Sequence, residues 1–245
     1  MNSLTLLLVA ASVVGWTQTD DGGYIARTYA SGAETMPYRL FVPKPYNAQQ
    51  QYPLVVWLSG VGGKGTDNLR QISGDQVPGT RLWVRPENQA AHPAFVVAPQ
   101  SPSAWGQYFT AALEPDSRLV LGILDALGSE FSIDRQRIYL VGQSNGARAA
   151  LNLLTNVPDR FAAAVLVAPA VGKIESASDV ARTSFWILQG SAPEAFPESG
   201  RALVKALRLA GGNPKLTEYR GVDHESWTRA FAEPELVSWL FSQHR

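Results

Sequence analysis

The hydrophobic positions of this chain fall into two alternating patterns. Continuous apolar runs recur at Leu54–Leu58, Phe95–Ala98, Ile138–Val141, Ala163–Val167 and Phe185–Leu188, and Leu216–Tyr219 closes the series. Runs of four or five apolar residues, rich in β-branched and aromatic types, fit strands buried on both faces of a parallel sheet. Between them the spacing turns helical. Leu119, Ile123, Leu124, Leu127 and Phe131 share one face, as do Leu203, Val204, Leu207 and Ala210 ahead of Gly211-Gly212. Ala147–Leu154 reads as a helix that stops before Pro158, and Leu236, Val237, Leu240 and Phe241 as a last one. Tyr24–Tyr29 and Pro37–Val42, separated around Ser31-Gly32-Ala33, predict an opening hairpin. Strands alternating with helices imply an α/β fold, a mostly parallel sheet with helices on both faces. Such sheets carry their sites at the C-terminal ends of the strands, so the chemistry is expected just after each run.

Gly142-Gln143-Ser144-Asn145-Gly146 stands between the strand ending at Val141 and the helix starting at Ala147. A serine at the apex of a sharp strand-to-helix turn sits in a strained backbone, and its hydroxyl projects from the sheet. Side chains two residues to either side would collide, which explains the glycines. The helix that follows aims its positive N-terminus at a developing oxyanion. Ser144 is therefore the candidate nucleophile. Serine needs an adjacent base, and the chain has three histidines. His92 lies at the entry of a strand, the wrong end of the sheet, and His244 is penultimate. That leaves His224, after the final strand. The glycine-rich turn Ser59-Gly60-Val61-Gly62-Gly63 follows a central strand. It can give one backbone N–H, near Gly60 or Val61, to an oxyanion, with Asn145 giving the other. Trp105, Gln143 and Trp227 are the candidate substrate contacts, since aromatic rings in a cleft suit acyl, aryl or sugar groups.

Composition narrows the chemistry further. Two hundred and forty-five residues, 45% hydrophobic, suit one domain with a full core, here 16–245. Lys+Arg and Asp+Glu are 21 each, so the basic excess that nucleic acid or an anionic membrane requires is missing. The absence of cysteine excludes disulfides, thiolate chemistry and Cys-based metal sites. No cofactor or metal is expected. Leu4–Val14 is an apolar stretch shorter than the about 20 residues a membrane span needs. It has the length of a signal-peptide core, with residues 1–15 as the processed segment and a secreted or periplasmic location. No Lys or Arg precedes it; the alternative is a strand or short helix of a cytoplasmic protein.

Taken together these segments resemble the α/β hydrolases, in a branch of predicted peptidases similar to polyhydroxybutyrate depolymerases and to feruloyl and acetyl-xylan esterases. The resemblance spans about residues 24–243. It is carried by Tyr38-Arg39-Leu40 with Val42-Pro43, Tyr52-Pro53-Leu54, Gly65-Thr66-Asp67-Asn68, Ala98-Pro99-Gln100, the Ser144 turn, Pro158-Asp159-Arg160-Phe161 and His224-Glu225-Ser226-Trp227. It implies the α/β-hydrolase fold and cleavage of a small-molecule or carbohydrate-linked carboxylic ester through an acyl-enzyme. A serine peptidase, or a binding protein that lacks the triad acid, are the alternatives. Three positions depart from the family pattern. Ser59-Gly60 and Gln189-Gly190 stand where the family has His-Gly, and Pro193 occupies the place of the triad aspartate. Glu194, one residue later, is the expected acid, with its longer arm offsetting the shift. Glu175 or Asp179, after the strand Ala163–Val167, or no acid at all, are the alternatives. A carboxylate paired with His224 would hold its pKa above the ordinary value of about 6.5.

Overall fold

The structure is a computed structural model that describes residues 21–105, 112–171 and 177–245. The expected signal segment and Glu175 lie outside the described residues. Eight strands form one sheet in the order β1-β2-β4-β3-β5-β6-β7-β8. They are β1 Ile25–Ser31, β2 Glu34–Phe41, β3 Tyr52–Leu58, β4 Phe95–Pro99, β5 Ile133–Gln143, β6 Ala163–Val167, β7 Ser184–Gly190 and β8 Lys215–Tyr219. The pairs β1–β2 and β2–β4 are antiparallel; every later pair is parallel. The helices are α1 Val77–Val84, α2 Pro86–Ala91, α3 Pro115–Glu130, α4 Asn145–Asn156, α5 Ala177–Val180, α6 Pro197–Leu209, α7 Trp227–Ala230 and α8 Leu236–Phe241.

Each continuous apolar run forms a strand because both of its faces are covered. Successive residues of β3 alternate between two cores: Leu54, Val56 and Leu58 pack with α3, α4 and α6, while Val55 and Trp57 pack with α1 and α8. The same alternation divides Ile138 and Leu140 from Tyr139 and Val141 in β5. Period-two alternation here separates one apolar layer from another, which is why no polar residue interrupts the runs. The hairpin closes as expected: Ser31 pairs with Glu34 around a two-residue loop in which Gly32 has φ 62°. At the far edge Lys215 of β8 caps the Trp186 ring at 3.5 Å and pairs with Glu235 at 2.8 Å. A charged side chain over the last strand blunts edge-to-edge pairing.

The helical stripes appear at α3, α4, α6 and α8. The helices α1 and α2 had no such signal. Pro78 and Gly79 interrupt the first, and the second has no buried residue. Gly79 lets α1 lie against the indole of Trp57, which a Cβ would meet at 2.1 Å. Tertiary packing, not periodicity, holds α1 in place.

Candidate active site

The site is assembled from the ends of β3, β5 and β7 and the loop after β8. At the end of β5, Ser144 has φ 51° and ψ −112°, a conformation that non-glycine residues rarely adopt. Its N–H donates to the Val167 carbonyl of β6 at 2.8 Å, and its carbonyl accepts from Ala147 N–H at 3.0 Å, so both sides of the turn are tied. The glycines of the motif are required by close approach. A Cβ on Gly142 would meet the Gly146 carbonyl oxygen at 2.5 Å, and one on Gly146 would meet the Leu58 carbonyl oxygen at 1.9 Å. The first turn of α4 thus rests directly on the end of β3. This is what sets the Asn145 N–H beside the loop that follows β3.

Ser144 Oγ lies 2.9 Å from His224 Nε2. The histidine reaches this position because the β8–α7 loop folds back over the end of β7, where a Cβ on Gly190 would strike the Val222 and Asp223 carbonyls at 2.2 Å. Ala192 N–H also donates to Val222 O at 2.9 Å. The imidazole is half-buried, and Phe196 and Trp227 lie edge-on to it at centroid distances of 6.3 and 5.9 Å. Burial holds the His224 pKa below 6.5, helped by the Arg148 guanidinium on α4; Asp223 and Glu225 oppose the shift. For Nε2 to accept the serine proton, Nδ1 must carry the other proton. Nδ1 is buried and has no hydrogen-bond partner among the described residues.

The expected acid does not reach it. Pro193 opens a 3₁₀ turn over Pro193–Ala195, closed by Ala195 N–H to Ala192 O at 2.9 Å, and this turn presents Glu194 to solvent. Proline stiffens the loop as its ring dictates, but the stiffened loop aims outward and brings the Phe196 ring to His224. Asp179 is exposed on α5, where its carboxylate accepts from Ser178 Oγ at 3.2 Å. Asp223 accepts from the Glu225 N–H at 3.0 Å and is not hydrogen-bonded to the ring it neighbours in sequence.

Of the N–H groups expected to face an oxyanion, those of Gly60, Val61 and Asn145, one is already engaged. The Gly60 N–H donates to Gln76 Oε1 at 2.8 Å, which ties it into the loop. The N–H groups of Val61 and Asn145 have no acceptor among the described residues. Gln76 follows no recognisable motif, so nothing in the sequence pointed to it as the strut of this loop. The Gly65-Thr66-Asp67-Asn68 segment is also scaffold. Asp67 Oδ1 accepts from Leu69 N–H at 2.9 Å and from Gln100 Nε2 at 2.8 Å, and Asn68 N–H donates to Gln100 Oε1 at 2.6 Å. The loops after β3 and β4 are thereby fastened together. Of the expected substrate contacts, Trp227 stands beside His224. Gln143 is fully buried; its side-chain nitrogen and its carbonyl oxygen face Gly60, and Nε2 donates to the Asp75 carbonyl at 3.5 Å. Trp105 is 3% exposed and belongs to the core on the α3 side. Among the described residues no group of three His, Asp or Glu could hold a metal ion, and no helix is long and apolar enough to cross a membrane.

The sheet order, the strained serine turn between β5 and α4 and the histidine after β8 define the α/β-hydrolase fold. A family model described as Esterase, "Putative esterase", matches residues 31–222, and the chain belongs to that family. Among solved structures, a thermostable esterase is 33% identical with a TM-score of 0.85; the alignment covers 92% of this chain and 64% of that esterase. A ferulic acid esterase from Anaeromyces mucronatus is 19% identical, with TM-score 0.62 and coverage of 88% and 90%. Porphyromonas gingivalis dipeptidyl peptidase 4 is 18% identical, with TM-score 0.67 and coverage of 90% of this chain and 36% of the peptidase. The last two likenesses are of fold. A search of curated proteins finds no match.

Proposed function

We propose that this protein is a serine esterase that cleaves carboxylic esters through an acyl-enzyme on Ser144. The single observation that carries the reading is the 2.9 Å contact between Ser144 Oγ and His224 Nε2 at a turn whose backbone is strained to present that hydroxyl. In this reading Oγ attacks the ester carbonyl carbon while its proton passes to Nε2. The carbonyl oxygen, now negative, is held by the N–H groups of Val61 and Asn145 at the N-terminus of α4. The imidazolium then returns its proton to the departing alcohol. Water repeats the cycle on the acyl-enzyme, releases the acid and frees Ser144. Membership in the esterase family supports the ester class.

The lack of a partner for Nδ1 among the described residues favours esters over amides. An amine must be protonated as it leaves, which demands more of the imidazolium than an alcohol does, and among the described residues no carboxylate is hydrogen-bonded to the imidazole. The test is Ser144→Ala. Loss of the nucleophile lowers turnover of short-chain nitrophenyl esters by about a million-fold, abolishes labelling by a fluorophosphonate probe, and leaves the melting temperature close to wild type. Turnover near wild type in the folded variant overturns the reading.

A further inference from the structure

The loop that should deliver an acid to His224 delivers an aromatic ring instead. Phe196 ends the Pro193–Ala195 turn and precedes α6 with φ 51° and ψ 48°, the left-handed region that a bulky side chain seldom occupies. Its neighbours Ala195 and Pro197 are buried, yet Phe196 is 61% exposed, the one exposed aromatic residue among those described. It belongs to neither core cluster. Among the described residues the one ring it approaches is that of His224, edge-on at 73°. Glycine or asparagine would make the same turn without the steric penalty, and a polar residue would avoid the exposed apolar surface. Two unfavourable features thus coincide on one residue at the mouth of the site, which points to a ligand contact and not to the fold.

The reaction geometry says which half of the substrate that contact meets. The carbonyl oxygen turns toward Val61 and Asn145, and the alcohol oxygen must reach Nε2 to be protonated. A ring lying against the imidazole, on a loop after β7 and away from the oxyanion loop after β3, faces the alcohol. We propose that Phe196 is a specificity-determining residue that forms an apolar wall for the alcohol half of the ester, selecting aromatic or bulky apolar alcohols over small ones. This rests on the esterase reading above.

The test compares benzyl acetate with methyl acetate, which share an acyl group and have alcohols of similar acidity. In Phe196→Gly, which suits the backbone and removes the ring, kcat/KM for benzyl acetate falls about 3- to 10-fold relative to methyl acetate, the factor an aromatic pair contributes. Phe196→Leu falls between the two. Deacylation of the acetyl-enzyme, in which the alcohol has already departed, keeps its wild-type rate. An unchanged benzyl-to-methyl ratio overturns the proposal. So does a change confined to methyl esters of lengthening acids, which would put the ring on the acyl side. A uniform loss for both acetates together with slower deacylation also overturns it, since the ring would then be positioning His224. If wild type hydrolyses neither series, or Ser144→Ala hydrolyses both as fast, the esterase reading itself fails and the Phe196 proposal falls with it.

Discussion

Gly146 and Gly128 are both helical glycines, and replacing each with alanine should change stability in opposite directions. In a helix interior alanine is favoured over glycine by about 1 kcal/mol. At Gly128 on α3 a Cβ meets nothing within 4 Å, so Gly128→Ala should gain most of that amount. For a chain of this length about 1 kcal/mol raises the melting temperature by roughly 2–4 °C. At Gly146 the new Cβ would stand 1.9 Å from the Leu58 carbonyl oxygen and 2.8 Å from that of Ser59. The first distance falls roughly 1.4 Å short of the closest ordinary C–H···O contact. Both atoms are backbone, in β3 and its exit, so no side chain can rotate away. The strain of overpacking, about 1–3 kcal/mol, exceeds the propensity gain, and the start of α4 must shift by about an ångström. That shift carries Ser144 and the Asn145 N–H with it, and a misplacement of about 1 Å in a reacting constellation can lower the rate about 100-fold. Thermal unfolding and ester turnover of the two variants measure both effects. If Gly146→Ala melts at or above wild type and turns over esters within about threefold of it, the close approach of α4 to β3 is not what fixes the site.

The pH profile and the candidate acids supply two further predictions. Because burial holds the His224 pKa below 6.5, the acid limb of kcat/KM should lie below that value, the opposite side from where a paired carboxylate would place it; a limb at 7 or above refutes the assignment. The same shift means the folded state resists protonation. Its contribution to stability is complete above the unfolded value of about 6.5 and is lost as pH falls from there through the folded pKa. The stability of wild type relative to His224→Gln, from urea unfolding between pH 5 and 8, should therefore fall toward the low end. Glu194→Gln and Asp179→Asn should keep ester turnover within about twofold, as exposed substitutions away from the reacting groups do. A steep loss in either would mean that its carboxylate reaches His224 in solution. Glu175→Gln separates a triad from a Ser–His pair, since loss of an orienting carboxylate costs about 10⁴-fold.

The sequence by itself determined the sheet and the Ser144–His224 pair. Apolar runs reveal buried strands because a residue covered on both faces has no tolerance for polarity. The Ser144 turn is legible because two close backbone approaches, at Gly142 and Gly146, admit no side chain. His224 follows from having so few histidines to choose among. The tertiary structure decided which groups lie beside that pair. Helix α1 is held by contact with Trp57 and leaves no stripe. The Gly60 N–H looked available until Gln76, sixteen residues on, was found to take it. Glu194 and Phe196 sit two residues apart on one rigid turn, and only the direction of that turn, fixed by Pro193 and by the Ala192 hydrogen bond to Val222, determines which of them meets the imidazole. A carboxylate's position in the chain gives its reach but not its aim, because aim comes from backbone dihedrals and from partners distant in sequence.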